Sequence, residues 1–159
     1  MPENNQYPDA TVCLILNAES NKVLLGWKKR GFAAGILNGY GGKVQENESP
    51  EEAAIRETKE ESGLDVQDLE RVGVVHFIHE KFSQIVHFFV TNNYSGELKE
   101  TEEMKPEWFP IGEIPSEKMW TDSRVWVPLV LAKIYFTGEC CFDSEDKMRK
   151  FSLDFPDNI

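Results

Sequence analysis

No run of apolar residues in this 159-residue chain approaches the ~18 needed to cross a bilayer, so no membrane-spanning segment is expected. The opening stretch "MPENNQYPDA" has no apolar core and no arginine, and neither a secretory signal nor a transit peptide is expected there. Cysteine is scarce. Cys13, Cys140 and Cys141 make an odd count without a CxxC spacing, and the adjacent pair is badly placed to bridge. That usage argues against zinc and for a reducing, cytoplasmic type of compartment, leaving nuclear and mitochondrial pools open. Basic residues are also few, 17 against 28 acidic, for a net charge of −11. Such a surface repels a phosphate backbone, so a nucleic-acid polymer is excluded as partner; a small anion is not, where basic groups gather locally. No HExxH joins His76, His79 and His87, which read as ordinary strand residues. The stretch "GYGGKV" is no phosphate loop, because that spacing needs glycine at Leu37 and a hydroxyl residue at Val44.

What is present fits one globular domain, with 40% hydrophobic and 28% charged residues. Residues 1–8 read as a polar tail and 9–159 as a single domain, expected to be a monomer. "TVCLILNA" (11–18) and "KVLLGWKK" (22–29) predict a hairpin, and the glycine-rich 31–44 a loop. "SPEEAAIRETKEESG" predicts a helix with Ser49 as N-cap, Pro50 at N1, Glu52 closing a capping box and Gly63 as its stop. Strands are expected at 69–80, 84–94 and 107–111, with a long acidic connection at 94–106. A second helix is expected over 122–136, capped by Asp122 and kinked or shortened by Pro128, and a last hairpin follows from Gly138. Strands before, between and after two helices predict an α+β fold, a mixed β-sheet covered on both faces.

The first helix carries an anomaly. Glu57, Glu60 and Glu61 stand at i, i+3 and i+4, share one face, and repel one another by a few tenths of a kcal/mol per pair. A solvated stripe would explain three acids taken alone. The larger frame "GKVQENESPEEAAIRETKEESGL" is far more specific: it matches G-x5-E-x7-R-E-U-x-E-E-x-G-U at Gly42, Glu48, Arg56, Glu57, Glu60, Glu61, Gly63 and Leu64, U being aliphatic. Chance gives on the order of 10⁻⁶ such matches in a chain this long. Thr58 departs from the aliphatic position, though its methyl can pack. Carboxylates on one helix face offer oxygen ligands to a hard cation such as Mg²⁺. Arg56 can orient them through charge-assisted bonds.

This frame resembles the Nudix box. Together with "VLLGWKKRGFAAGILNGYGGKVQENE", "EEMKPEWF" and "MWTDSRVWVPLVL", the chain resembles the MutT-homologue branch, the oxidised purine nucleoside triphosphatases, over residues 10 to 155. The resemblance implies an α/β/α Nudix fold. It also implies a Mg²⁺-dependent enzyme, with Mn²⁺ as a substitute, that hydrolyses 8-oxo-dGTP and related damaged triphosphates to monophosphate and pyrophosphate. Carried over position by position, it makes Glu57, Glu60, Glu61 and Glu103 metal ligands, with the Gly41 carbonyl nearby. Arg56 would support catalysis, and Glu57 or Glu61 would be the general base. Lys28, Tyr40, Gly41, Gly42 and Lys43 would meet the substrate around its phosphates. Asn38, Phe77, Trp120 and Asp122 would hold the base.

One departure bears on the substrate: the family has two successive aspartates where this chain has Asp122 and Ser123. Two other readings stand beside the first. One is a Nudix hydrolase of another nucleoside diphosphate compound, such as a dinucleotide, nucleotide sugar or cap. The other is a module that only binds nucleotides, against which the complete set of box carboxylates argues.

Overall fold

Unbroken apolar runs, buried on both faces, build the centre of the sheet. Strands Asp9–Asn17 (β1) and Lys22–Lys28 (β2) form the expected antiparallel hairpin, turning at Asn21, whose φ of 57° asparagine tolerates. In β1, Cys13 and Ile15 point to one face while Leu14 points to the other, and all three are fully buried. A computed structural model describes residues 7–31 and 33–156. The first six residues of the expected tail, together with Phe32 and residues 157–159, lie outside the described residues. The tail's last two residues are tied down: the Tyr7 ring meets the edge of His76, and Pro8 accepts a backbone bond from Ile85.

After the short strand Leu37–Asn38 (β3) comes the helix Pro50–Ser62 (α1), then Asp65–Gln67 (β4), Glu70–Ile78 (β5), Ser83–Thr91 (β6), Asn93–Ser95 (β7) and Met104–Pro110 (β8). A second helix, Ser123–Leu131 (α2), precedes the final hairpin Phe136–Phe142 (β9) and Met148–Asp154 (β10). The main sheet runs β10-β9-β5-β6-β1-β2-β3, with β8 on the other edge of β2. β1 lies parallel to β6 and β5 parallel to β9, so the sheet is mixed, as expected. β8 is longer than the sequence suggests because "MKP" pairs along β2 as far as Lys28.

The two faces are covered by different helices. Ala54 of α1 packs with Cys13, Ile15, Leu24, Tyr40 and Phe89; Trp126, Val127 and Val130 of α2 pack with Leu14, Val75, Val86 and Phe88. This is the α/β/α layering. The α1 ends follow the sequence closely. Ser49 Oγ accepts from the Glu52 amide, Glu52 Oε1 accepts from the Ser49 amide, and Gly63 closes the helix at φ 84°. Thr58 is fully buried, its methyl packed and its Oγ1 without a partner other than the weakly bonding Cys13 thiol.

Helix α2 is shortened, as expected, and corrects one expectation, its cap. It ends at Leu131 rather than residue 136, turned by Lys133 at φ 58° with the Ile134 amide bonding back to Leu129. Asp122 precedes the helix with helical backbone angles and makes no side-chain cap. Its carboxylate serves Trp126 instead.

Candidate active site

β1 pairs with β2 only from Ile15 to Asn17. Ahead of that, the β1 edge is taken by the glycine loop: Thr11 donates to the Gly42 carbonyl, and Cys13 and Tyr40 exchange backbone bonds. A Cβ at Gly41 would drive into the Thr11 carbonyl, and one at Gly42 would meet the Glu57 carboxylate at 2.5 Å. Glycine is required here for close approach of the loop to both a strand and a helix. The Gly41 amide donates to Glu61 Oε1 at 3.1 Å.

Arg56 organises the acidic face. Its Nε and Nη2 grip both oxygens of Glu48 at 2.7 and 3.1 Å, and Nη1 reaches Glu57 Oε2 at 3.1 Å. Nη2 also donates to the Lys43 carbonyl at 3.0 Å, pinning the glycine loop to the helix. The bond from Arg56 holds the Glu48 carboxyl below its ordinary range. Burial pushes Glu57 upward, with Arg56 opposing it. Burial pushes Glu61 up to about 8; Glu57 and Glu103 add to the rise, and the Gly41 amide and Lys28 counter it. Glu60 is more open, with 57% of its side chain exposed and Arg56 3.4 Å away.

Among the described residues, no three His, Cys, Asp or Glu side chains form a ready-made metal cluster. Glu103 is gripped by Arg30 at 2.6 Å, yet close enough to Glu61 to raise its pKa. The donor chemistry nonetheless fits a hard divalent cation. The donors are all oxygens, and two of the carboxylates carry charge that burial disfavours and a cation would compensate.

Beside this face lies a cavity of about 280 Å³. Lys28, Asn38, Phe77, Trp120 and Asp122 line it, brought together from β2, β3, β5 and the approach to α2. Asn38 Oδ1 accepts from the Gly39 amide at 2.9 Å, which sets the orientation of its side chain. Phe77 is flanked by Phe88 and by Phe142, the latter stacked at 6.3 Å. Asp122 is 8% exposed and accepts from Trp126 Nε1 at 2.8 Å. Burial raises its pKa, and the Trp126 bond partly offsets that.

Two candidates stand apart. The Tyr40 side chain is fully buried beneath α1 with its hydroxyl donating to the Leu25 carbonyl, so it supports the loop from inside and has no surface for a ligand. Lys43 is exposed and absent from the cavity wall; only its carbonyl is engaged, by Arg56. Among the wall residues not foreseen from the sequence are His79, Phe82, Trp126, Phe142 and Asp146. Trp126 lies one helical turn from Asp122, a spacing that could have signalled the pair. Asp146 comes from a distant turn, and no local pattern announces it.

The layered fold, the carboxylate-bearing helix and the glycine loop against it together define the Nudix class of domain. Residues 6–130 match the NUDIX domain model, and the chain belongs to that family. Within the family it is 47% identical over 143 residues to the oxidized purine nucleoside triphosphate hydrolase of Danio rerio, covering 89% of this chain and 92% of that one. The Mus musculus protein of the same name is 44% identical over 142 residues, covering 88% and 91%. A MutT protein from Bacillus halodurans shares the fold with a TM-score of 0.80 at 24% identity, over 95% of this chain and 99% of that one.

Proposed function

We propose that this protein hydrolyses oxidised purine nucleoside triphosphates, 8-oxo-dGTP foremost, to monophosphate and pyrophosphate, cleansing the nucleotide pool. One observation carries the reading. Lys28 lines the aromatic cavity and at the same time lies within electrostatic reach of Glu61 and Glu103, so base pocket and acidic face share one cleft. The relatives in Danio rerio and Mus musculus, alike over nine-tenths of their length, support it.

Glu57, Glu60, Glu61, Glu103 and the Gly41 carbonyl would hold Mg²⁺, for which Mn²⁺ could substitute. The bound ion would neutralise phosphate charge and lower the pKa of a bound water. Lys28 binds the phosphates. Phe77 and Trp120 offer flat apolar surface to the purine, and Asn38 and Asp122 read its polar edge. Glu57 or Glu61, the two carboxylates of the face that burial shields from water, takes the proton of the attacking water. Arg56 holds Glu57 and the loop in register. No helix among the described residues is long and apolar enough to cross a membrane. We infer a cytoplasmic monomer acting on small nucleotides rather than on a nucleic-acid polymer.

Hydrolysis of 8-oxo-dGTP in ¹⁸O-labelled water tests the chemistry. Attack at the α-phosphorus places label in the monophosphate. Label in pyrophosphate, released orthophosphate, or faster turnover of dinucleotides or nucleotide sugars would contradict it.

A further inference from the structure

His79 ends the β5 side of a hairpin and closes one wall of the cavity, with only 6% of its side chain exposed. Its Nδ1 accepts the Lys81 amide at 3.0 Å, so the ring proton sits on Nε2, which donates to Asp146 Oδ1 at 2.6 Å. The ring also stacks on Phe82, 4.6 Å between centres and 3° from parallel. Phe82 is 53% exposed yet lines the same cavity. Asp146 belongs to the turn between β9 and β10 and is presented from a left-handed backbone at φ 63°. That turn is built to hold it: Asp143 Oδ1 accepts from the Glu145 and Lys147 amides, and Arg149 secures Oδ2 at 2.6 Å.

We propose that His79 and Asp146 form a clasp across two hairpin ends, and that His79 is thereby a specificity-determining positioning residue that fixes the Phe82 face against the purine. The inference rests on the proposed function for the identity of its ligand. Without the clasp, Phe82 is an aromatic ring on an exposed turn; with it, the ring is part of a rigid wall. The three residues lie on neither α1 nor the glycine loop, so the clasp acts on how the base is held and not on the phosphates.

Asp146→Ala removes the acceptor, whereas Asp146→Asn keeps a carbonyl oxygen for the Nε2 proton. Two measurements are made on the full chain: kcat and KM for 8-oxo-dGTP and dGTP, and trypsin cleavage after the exposed Lys81 and Lys147 without metal or nucleotide. For Asp146→Ala, KM for 8-oxo-dGTP rises about five- to twentyfold with kcat within about twofold, and cleavage after Lys81 accelerates several-fold. Asp146→Asn stays near wild type in both. An unchanged KM in Asp146→Ala, a fall confined to kcat, or equal damage in both variants overturns the clasp. A wild-type enzyme without preference for the oxidised purine would overturn the proposed function and the ligand named here. The cleavage contrast between the two variants would still decide whether the clasp holds the hairpins.

Discussion

Glu61 Oε1 accepts the Gly41 N–H at 3.1 Å, coupling the glycine loop to the acidic face of α1. The bond favours the ionised carboxylate, but burial outweighs it and pushes the pKa up to about 8. In the unfolded chain the same group titrates near its ordinary value of 4.5. Between those limits the folded state holds a proton that the unfolded state has lost. The contribution of Glu61 to stability is therefore full below 4.5 and gone above about 8.

The metal-free protein should lose thermal stability from pH 5 to 8 relative to Glu61→Gln, whose melting temperature should exceed the wild type's at pH 8. Each kcal/mol recovered is worth about 2–4 °C in a chain of this size. Mg²⁺ should raise the melting temperature of the wild type more than that of the variant. The same substitution should lower kcat by several orders of magnitude. Parallel melting curves, or unchanged turnover, would remove Glu61 from the centre of the site.

Gly42→Ala tests the close approach. The added methyl would meet a side-chain carboxylate rather than backbone, so the fold should survive with a melting temperature within a few degrees of wild type. Displacing Glu57 should nonetheless cut kcat/KM by about 10- to 100-fold, since misplacement of a reactive group by about 1 Å costs on that scale. Full activity in this variant would show that Glu57 has no fixed position to defend.

The helix and its acidic face were legible in the sequence because those signals are local. Ser49, Glu52 and Gly63 set the ends of α1, and the spacing of Glu57, Glu60 and Glu61 set its acidic face. The cavity was legible only through resemblance. Spacing alone makes Phe77 a core residue and Asp122 a helix cap. The second of these is what the structure corrects, since the carboxylate turns to Trp126. Tyr40 was misplaced for a related reason. Its neighbours in the glycine loop approach Thr11 and Glu57, but alternation across the loop sends its ring into the core under α1. Asp146 stands 67 residues from His79, and only the parallel pairing of β9 with β5 brings the two hairpins side by side.

Thr58→Val should stabilise the protein. The hydroxyl is fully buried with no strong partner, and an apolar group of the same shape avoids about 1 kcal/mol or more of that desolvation. A melting temperature about 2–4 °C above wild type is expected, with kcat unchanged. A lower value would mean that the contact with the Cys13 thiol is worth more than its chemistry suggests.

On the proposed function, Asp122 is the buried acid of the cavity that ranks the damaged bases, since the other acid of the wall, Asp146, is engaged by His79. On that reading Asp122 would accept the N1–H and N2–H₂ donors of 8-oxo-guanine when ionised, against the rise that burial gives its pKa, whereas 2-oxo-adenine would call for a second acid able to trade a proton. Asp122→Asn should lower kcat/KM for 8-oxo-dGTP by roughly 10- to 100-fold. Ser123 is 2% exposed in the same wall, so Ser123→Asp would set two carboxyls in a dry pocket where one must keep its proton. That variant should selectively improve 2-oxo-dATP. Steady-state kinetics on both nucleotides checks the pair, and an Asp122→Asn enzyme with full activity would show that the base is read elsewhere.

On the proposed function this cleft selects an oxidised purine and cleaves its triphosphate. Its most direct test is kcat/KM for 8-oxo-dGTP against dGTP, measured on the same wild-type preparation in Mg²⁺. A preference of at least about tenfold for the oxidised nucleotide is expected, the worth of one well-made hydrogen bond in a desolvated pocket. Equal values for the two nucleotides would contradict it.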